Sequence, residues 1–230
     1  MTTRHLLLIP GAGGAAFVWH RVVAELAARG HVGVAVDLPA DDPAAGLAAY
    51  ADVALAAATA YDGGRGASYR WTVVGQSMGA LTAPLLVGRL EVAELVLLNP
   101  MVPAPRETGG AWWAATGQGP AAQEAATAGG YPGDFDLDVV FLHDVDPADA
   151  VALEAHEREE TDTVFDEPWP LAAWPAVPTR VLAGADDRLF PPAFVERVAQ
   201  ERLGVAAVRV PGGHLNTLSR PREVVDALLA

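Results

Sequence analysis

Short apolar runs alternate with longer segments of helical spacing along most of this chain. The runs His5–Ile9, Val32–Val36, Trp71–Gly75, Leu95–Leu98, Thr179–Ala183 and Val205–Val210 are nearly continuous in apolar residues, as expected of strands covered on both faces. Helical patterns fall at Val18–Ala28, Ala44–Ala60, Met78–Leu90, Pro192–Leu203 and Pro221–Leu229. Such alternation predicts an α/β fold built on a mainly parallel sheet.

One interval breaks the rhythm. Between Val102 and Pro178 the chain is rich in glycine and proline, yet it also carries Trp112, Trp113, Tyr131, Phe135, Phe141, Phe165, Trp169 and Trp174. A structureless loop of that length is improbable inside a compact domain, so an inserted helical cap is expected. The expected division is therefore 1–101 and 179–230 for the two parts of the core and 102–178 for the cap. The aromatic rings either face a ligand or pack the cap onto the body.

Composition narrows the chemistry. With 230 residues, 51% of them hydrophobic and 19% charged, the chain suits one soluble domain, and no apolar run approaches the length of a spanning helix. Leu6–Ile9 is too short for a signal-peptide core, so a cytoplasmic location is expected. Cysteine is absent, which removes disulfides, thiolate metal sites and cysteine nucleophiles. All basic side chains other than histidine are arginine. Without lysine, Schiff-base chemistry, a Walker phosphate loop and a Ser-Lys dyad are excluded. The formal charge of −14 repels phosphate backbones and acidic membranes, leaving neutral or cationic small molecules as expected partners of a monomer or homodimer. The acidic runs Asp41-Asp42 and Glu157-Arg158-Glu159-Glu160 read as solvated faces.

Ser77 lies in Gly75-Gln76-Ser77-Met78-Gly79, directly after an apolar run and before a helical one. That is the pattern of a nucleophile elbow: a serine on a sharp strand-to-helix turn, with glycines two residues to either side because a side chain there would meet backbone. The Met78 N–H, at the helix start, is placed as an oxyanion donor. A serine nucleophile needs a base and a carboxylate that orients it. Of the six histidines, His5, His20, His31 and His156 sit at strand starts or on helices, whereas His214 follows the last strand in Pro211-Gly212-Gly213-His214. The acid is expected after the fifth strand, where Asp187 is preferred to its neighbour Asp186; the alternative strand end offers only neutral Asn99. The loop Pro10-Gly11-Ala12-Gly13-Gly14 should supply a second oxyanion donor from Ala12, with Gly13 next, and Gly11 belongs to the same wall. Trp112, Trp113, Phe141 and Trp169 are candidate pocket residues. His143, beside Asp144, is either a substrate contact or half of a structural pair. No His-x-His or HExxH spacing suggests a metal, and no cofactor is expected.

With these pieces the chain resembles the α/β-hydrolase superfamily. Ile9-Pro10-Gly11-Ala12-Gly13-Gly14-Ala15-Ala16-Phe17-Val18-Trp19 and Ala35-Val36-Asp37-Leu38-Pro39 are similar to segments of its small methylesterase and hydroxynitrile-lyase group. The resemblance implies about six mainly parallel strands, a Ser77, Asp187, His214 triad, and an oxyanion hole from the Ala12 and Met78 N–H groups. Two departures matter. Pro10 stands where members of the group usually have histidine, and Leu215 and Gly11 stand where the hydroxynitrile lyases have lysine and threonine. Ester cleavage on a small hydrophobic substrate is therefore expected rather than cyanide chemistry. Gly75-Gln76-Ser77-Met78-Gly79-Ala80 also looks like a type II thioesterase signature, and a perhydrolase or a non-catalytic receptor on the same fold are further alternatives.

Overall fold

The computed structural model describes residues 2–61, 69–156 and 158–230. Glu157, in the second acidic run, lies outside the described residues. Six strands, β1 (His5–Ile9), β2 (Val32–Ala35), β3 (Trp71–Gln76), β4 (Val92–Leu98), β5 (Thr179–Gly184) and β6 (Ala207–Val210), form one sheet in the order β2-β1-β3-β4-β5-β6. Every pairing is parallel.

The near-continuous apolar strands are explained by burial on both faces. Leu7, Ile9, Val73, Leu95, Leu97, Val181 and Ala183 pack into one cluster, whereas Leu6, Leu8, Val74, Val96, Leu98 and Leu182 pack into another. The alternation follows from the two-residue period of a strand. Each fully buried leucine contributes about 1.5–3 kcal/mol of transfer free energy relative to exposure. Helices α1 (His20–Ala28) and α9 (Pro221–Leu229) cover the second cluster with Val22, Leu26, Val224, Val225 and Leu228. On the first cluster lie α2 (Leu47–Tyr61) and α8 (Pro192–Leu203), through Tyr50, Ala54, Val195 and Val198.

The helix expected over Met78–Leu90 is shorter. An α-helical turn, α3 (Gly79–Thr82), passes directly into a 3-10 turn at Ala83–Leu86. Pro84 has no N–H to continue the α ladder, and the chain is extended by Val87. The strand expected from Val205 begins at Ala207 and the one expected from Leu95 begins at Val92, where β4 pairs on past the apolar run.

Between β4 and β5 the chain forms α4 (Gly109–Thr116), α5 (Gln118–Gly129), a π-helical turn at Asp138–Leu142, α6 (Pro147–Glu154) and α7 (Thr163–Asp166), none of which joins the sheet. Thr108 caps α4 by accepting the Ala111 N–H at 3.0 Å, and left-handed Gly117 and Gly130 end α4 and α5. Among the described residues, no helix is long and apolar enough to cross a membrane.

Candidate active site

The C-terminal edge of the sheet gathers the predicted chemistry. Ser77 follows β3 with φ of +54°, a left-handed conformation that a non-glycine residue adopts only when its surroundings impose it. The surroundings here are two backbone contacts. A Cβ at Gly75 would stand 2.7 Å from the Gly79 carbonyl oxygen, and one at Gly79 would meet the carbonyls of Ile9 and Pro10. Glycine at both positions lets strand, turn and helix close this tightly. The Ser77 N–H donates to Leu98 O at 2.9 Å, which ties the turn to β4.

Asp187 follows β5 and His214 follows β6. Nδ1 of His214 lies 2.8 Å from Asp187 Oδ2, and the two residues are only 1% and 3% exposed. Asp187 Oδ1 accepts from the Leu189 and Phe190 N–H groups at 2.9 and 2.8 Å, which fixes the carboxylate. A carboxylate accepts, so Nδ1 carries the proton and Nε2 presents a lone pair. That Nε2 is buried and has no protein partner among the described residues. Phe141 and Phe190 flank the imidazole, each at 5.1 Å between ring centroids. Ser77 and His214 line the same cavity.

The loop after β1, from which the second oxyanion donor was expected, is held through its N–H groups. Gly11 N–H donates to Gln76 Oε1 at 3.0 Å, Gly13 N–H to Glu160 Oε2 at 3.0 Å, and Gly14 N–H to Gly11 O at 3.2 Å. The Ala12 N–H has no such partner among the described residues, and neither does that of Met78. Gly13, the second choice as donor, is thereby engaged elsewhere. Gly11 is pressed so close to Ser77 that a Cβ there would stand 2.9 Å from the serine Cβ.

The cavity has a volume of about 480 Å³, within the range of small-molecule sites. Of the cap residues proposed from sequence, Trp113 and Phe141 line it. Trp112 and Trp169 do not: they are buried in the core, where their indole N–H groups donate to Val102 O and Leu81 O, both at 2.9 Å. His143 also lies off the cavity wall; its ring packs on Gly213, where a Cβ would stand 2.7 Å from Nε2. Its neighbour Asp144 accepts from the Gly213 N–H and the Ser219 hydroxyl, at 2.9 and 2.7 Å. Asp186 is exposed and accepts from the Gly212 N–H at 3.2 Å, a turn role. Arg188 does not pair with it: the guanidinium lies over the Tyr131 ring at 4.4 Å and donates to Val139 O.

Five residues around the site were not assigned a part in it from sequence. Gln76 joins the loops by accepting from Gly11 and donating to His214 O at 3.3 Å. Asn99, with φ of +46°, accepts the Gly184 N–H at 2.6 Å and donates to His214 O at 3.0 Å. Leu189 and Phe190 orient Asp187 through backbone. The acidic run also divides: Asp41, Asp42 and Glu159 are exposed, but Glu160 is half-buried, lines the cavity and accepts from Tyr50 Oη at 2.5 Å. Burial raises the Glu160 carboxyl above the usual range, against the opposing pull of its bonds from Tyr50 and Gly13. Burial likewise pushes the Tyr50 hydroxyl well above its ordinary value, reinforced by Glu160. His5, His20, His31 and His156 stand away from the cavity. His5 stacks on Tyr69, His20 donates to Phe17 O, His31 accepts the Arg4 N–H, and His156 stacks on Phe17.

The fold and this site edge define an α/β hydrolase, and the chain belongs to the alpha/beta hydrolase family, whose profile matches residues 6–227. Among solved structures it is similar to polyneuridine aldehyde esterase, with a TM-score of 0.75 at 16% identity, over 99% of this chain and 98% of the other. It is also similar to a pyrethroid hydrolase from Sphingobium faniae JZ-2, with a TM-score of 0.69 at 21% identity over 99% and 96% of the two chains. A variant of tomato methylketone synthase I complexed with beta-ketoheptanoate matches with a TM-score of 0.70 at 16% identity, over 100% and 96%. No curated protein matches significantly.

Proposed function

We propose that this protein hydrolyses carboxylic esters of small hydrophobic substrates through an acyl-enzyme. The observation that carries the reading is the convergence of Ser77, the buried His214–Asp187 pair and two N–H groups without a partner among the described residues on one largely apolar cavity. Ser77 Oγ attacks the ester carbonyl while His214 Nε2 takes its proton. The Ala12 and Met78 N–H groups stabilise the tetrahedral oxyanion. Collapse of this intermediate expels the alcohol, which receives the proton from His214. Water then attacks the acyl-serine with His214 again as base, releasing the acid and restoring Ser77. Asp187 holds the tautomer and stabilises the imidazolium. The segment 102–178 caps the site, with Trp113, Phe141 and Phe165 walling the substrate from water. The names of two structural neighbours, an esterase and a pyrethroid hydrolase, agree with ester chemistry.

Burst kinetics on p-nitrophenyl acetate, butyrate and octanoate test the reading, with Ser77→Ala and His214→Ala beside the intact protein. A burst and steady release that both depend on Ser77 support it. Turnover of an acyl-thioester in clear preference to the matching oxygen ester would assign the same site to a thioesterase. Covalent labelling of Ser77 by a fluorophosphonate without turnover of any ester would point to a receptor. Absence of both labelling and turnover would end the hydrolase reading.

A further inference from the structure

The loop that carries Ala12 is a tight turn closed by the Gly14 N–H on Gly11 O at 3.2 Å. Gly13 and Gly14 both have positive φ, +80° and +63°, and glycine reaches such angles without commitment to one conformation. The turn is also held from outside, on both sides of Ala12. Gln76 holds the Gly11 N–H from the core, and Glu160 holds the Gly13 N–H from the inserted segment. Glu160 is itself fastened: its other oxygen accepts from the hydroxyl of Tyr50, a residue 0% exposed. Neighbouring backbone makes the same crossing. Arg158 N–H donates to Gly13 O at 3.4 Å, its guanidinium to Leu38 O at 3.3 Å, and Thr161 N–H to Ala40 O at 3.0 Å. Both carboxylate oxygens of Glu160 are thus spent on the core, and the residue faces the cavity that Ser77 lines. A carboxylate kept half-buried at a site where burial disfavours its charge has a use for its acceptors.

We propose that Glu160 is a positioning residue for the oxyanion hole: its carboxylate fixes the Ala12–Gly13 peptide through the Gly13 N–H, and this holds the adjoining Gly11–Ala12 peptide so that the Ala12 N–H points at the reacting carbonyl. The inference rests on the acyl-enzyme reading of Ser77. It makes seating of the inserted segment a condition for a complete oxyanion hole, so that segment shapes the chemical step as well as the pocket. The peptide is held by hydrogen-bond acceptance, and a neutral acceptor of the same length suffices.

The test compares the intact protein with Glu160→Gln, Glu160→Asp and Glu160→Ala, using steady-state turnover of p-nitrophenyl butyrate and near-UV circular dichroism to verify folding. Ser77→Ala is run alongside. Turnover that survives Ser77→Ala would remove the acyl-enzyme reading itself, whatever Glu160 does. With Ser77-dependent turnover, Glu160→Ala is expected to lower kcat about 10- to 100-fold with KM changed less than about 3-fold, because only transition-state stabilisation is lost. Glu160→Gln keeps the acceptor and should stay within about 3-fold of the intact kcat, whereas Glu160→Asp keeps the charge but withdraws the acceptor and should fall toward alanine. A folded alanine variant with intact kcat, a loss confined to KM, or an aspartate variant equal to or better than glutamine overturns the proposal. If the alanine variant does not fold, the order of glutamine and aspartate decides.

Discussion

Asp187 and His214 form an almost solvent-free pair, 2.8 Å apart, with the second carboxylate oxygen locked by the Leu189 and Phe190 N–H groups. The lock matters because it permits one imidazole tautomer, with Nδ1 protonated and Nε2 free to accept. Asp187→Asn offers an amide that can donate to Nδ1, which moves the proton to Nε2 and takes away the negative charge. The expected result is a fall in kcat of about 10³- to 10⁴-fold with the fold retained, measured by steady-state ester turnover. A variant within tenfold of the intact enzyme would contradict the assignment of Asp187.

Trp112 and Trp113 are adjacent in sequence but face different environments. Trp112 is 0% exposed and packs edge-on against Phe190 and Phe194, while Trp113 lines the cavity. Trp112→Ala should cost about 3–5 kcal/mol of stability in urea denaturation, as expected for a large cavity in a packed core. Trp113→Ala should cost less and instead shift the preferred acyl length among p-nitrophenyl esters. Equal stability losses without a change in chain-length preference would count against Trp113 as a pocket wall.

Gly79 and Gly30 provide a contrast in backbone chemistry. A Cβ at Gly79 meets β1 backbone, including Ile9 O at 2.7 Å, whereas nothing lies within 4 Å of a Cβ at Gly30, whose φ is +76°. Gly79→Ala forces strand and helix apart and should cost about 1–3 kcal/mol together with most of the activity. Gly30→Ala carries only the left-handed backbone penalty, about 1 kcal/mol, and should leave turnover unchanged. Thermal melts and ester turnover on the same samples separate the two.

Glu160 sets a pH dependence of stability. Its folded pKa is raised above the ordinary 4.5 by burial, so between those two values the native state holds more protons than the unfolded chain. Stability from this group therefore falls as pH rises through that window and the charged form has to be kept half-buried. Glu160→Gln removes that cost. Its Tm should exceed that of the intact protein at pH 7, and the difference should shrink toward pH 4. A difference that grows on acidification would reverse the sign and refute the account.

Much of the architecture was legible in the chain because its signals are local. His5–Ile9, Pro192–Leu203 and Pro221–Leu229 have the bounds that their patterns predict, since strand burial and helix ends leave marks within a few residues. Met78–Leu90 failed as one helix because a single proline outweighed a long apolar pattern. The turn at Ser77 was visible because its strained backbone demands glycines at fixed offsets. Glu160 was not, because in sequence it is the last member of an acidic run and nothing local distinguishes it from exposed Glu159.

By itself, the sequence determined the strand set, the alternation of faces, the elbow at Ser77 and the small group of side chains able to act with it, since these follow from periodicity, turn sterics and residue chemistry over short spans. The tertiary structure alone decided which loop N–H groups remained unpartnered, which tryptophans faced the cavity, and which carboxylate closed on Gly13. Those outcomes depend on contacts between segments far apart in the chain, such as Gly13 with Glu160 and Gly184 with Asn99. Such contacts are selected by the burial and hydrogen-bond satisfaction of the whole fold, and no local pattern encodes them.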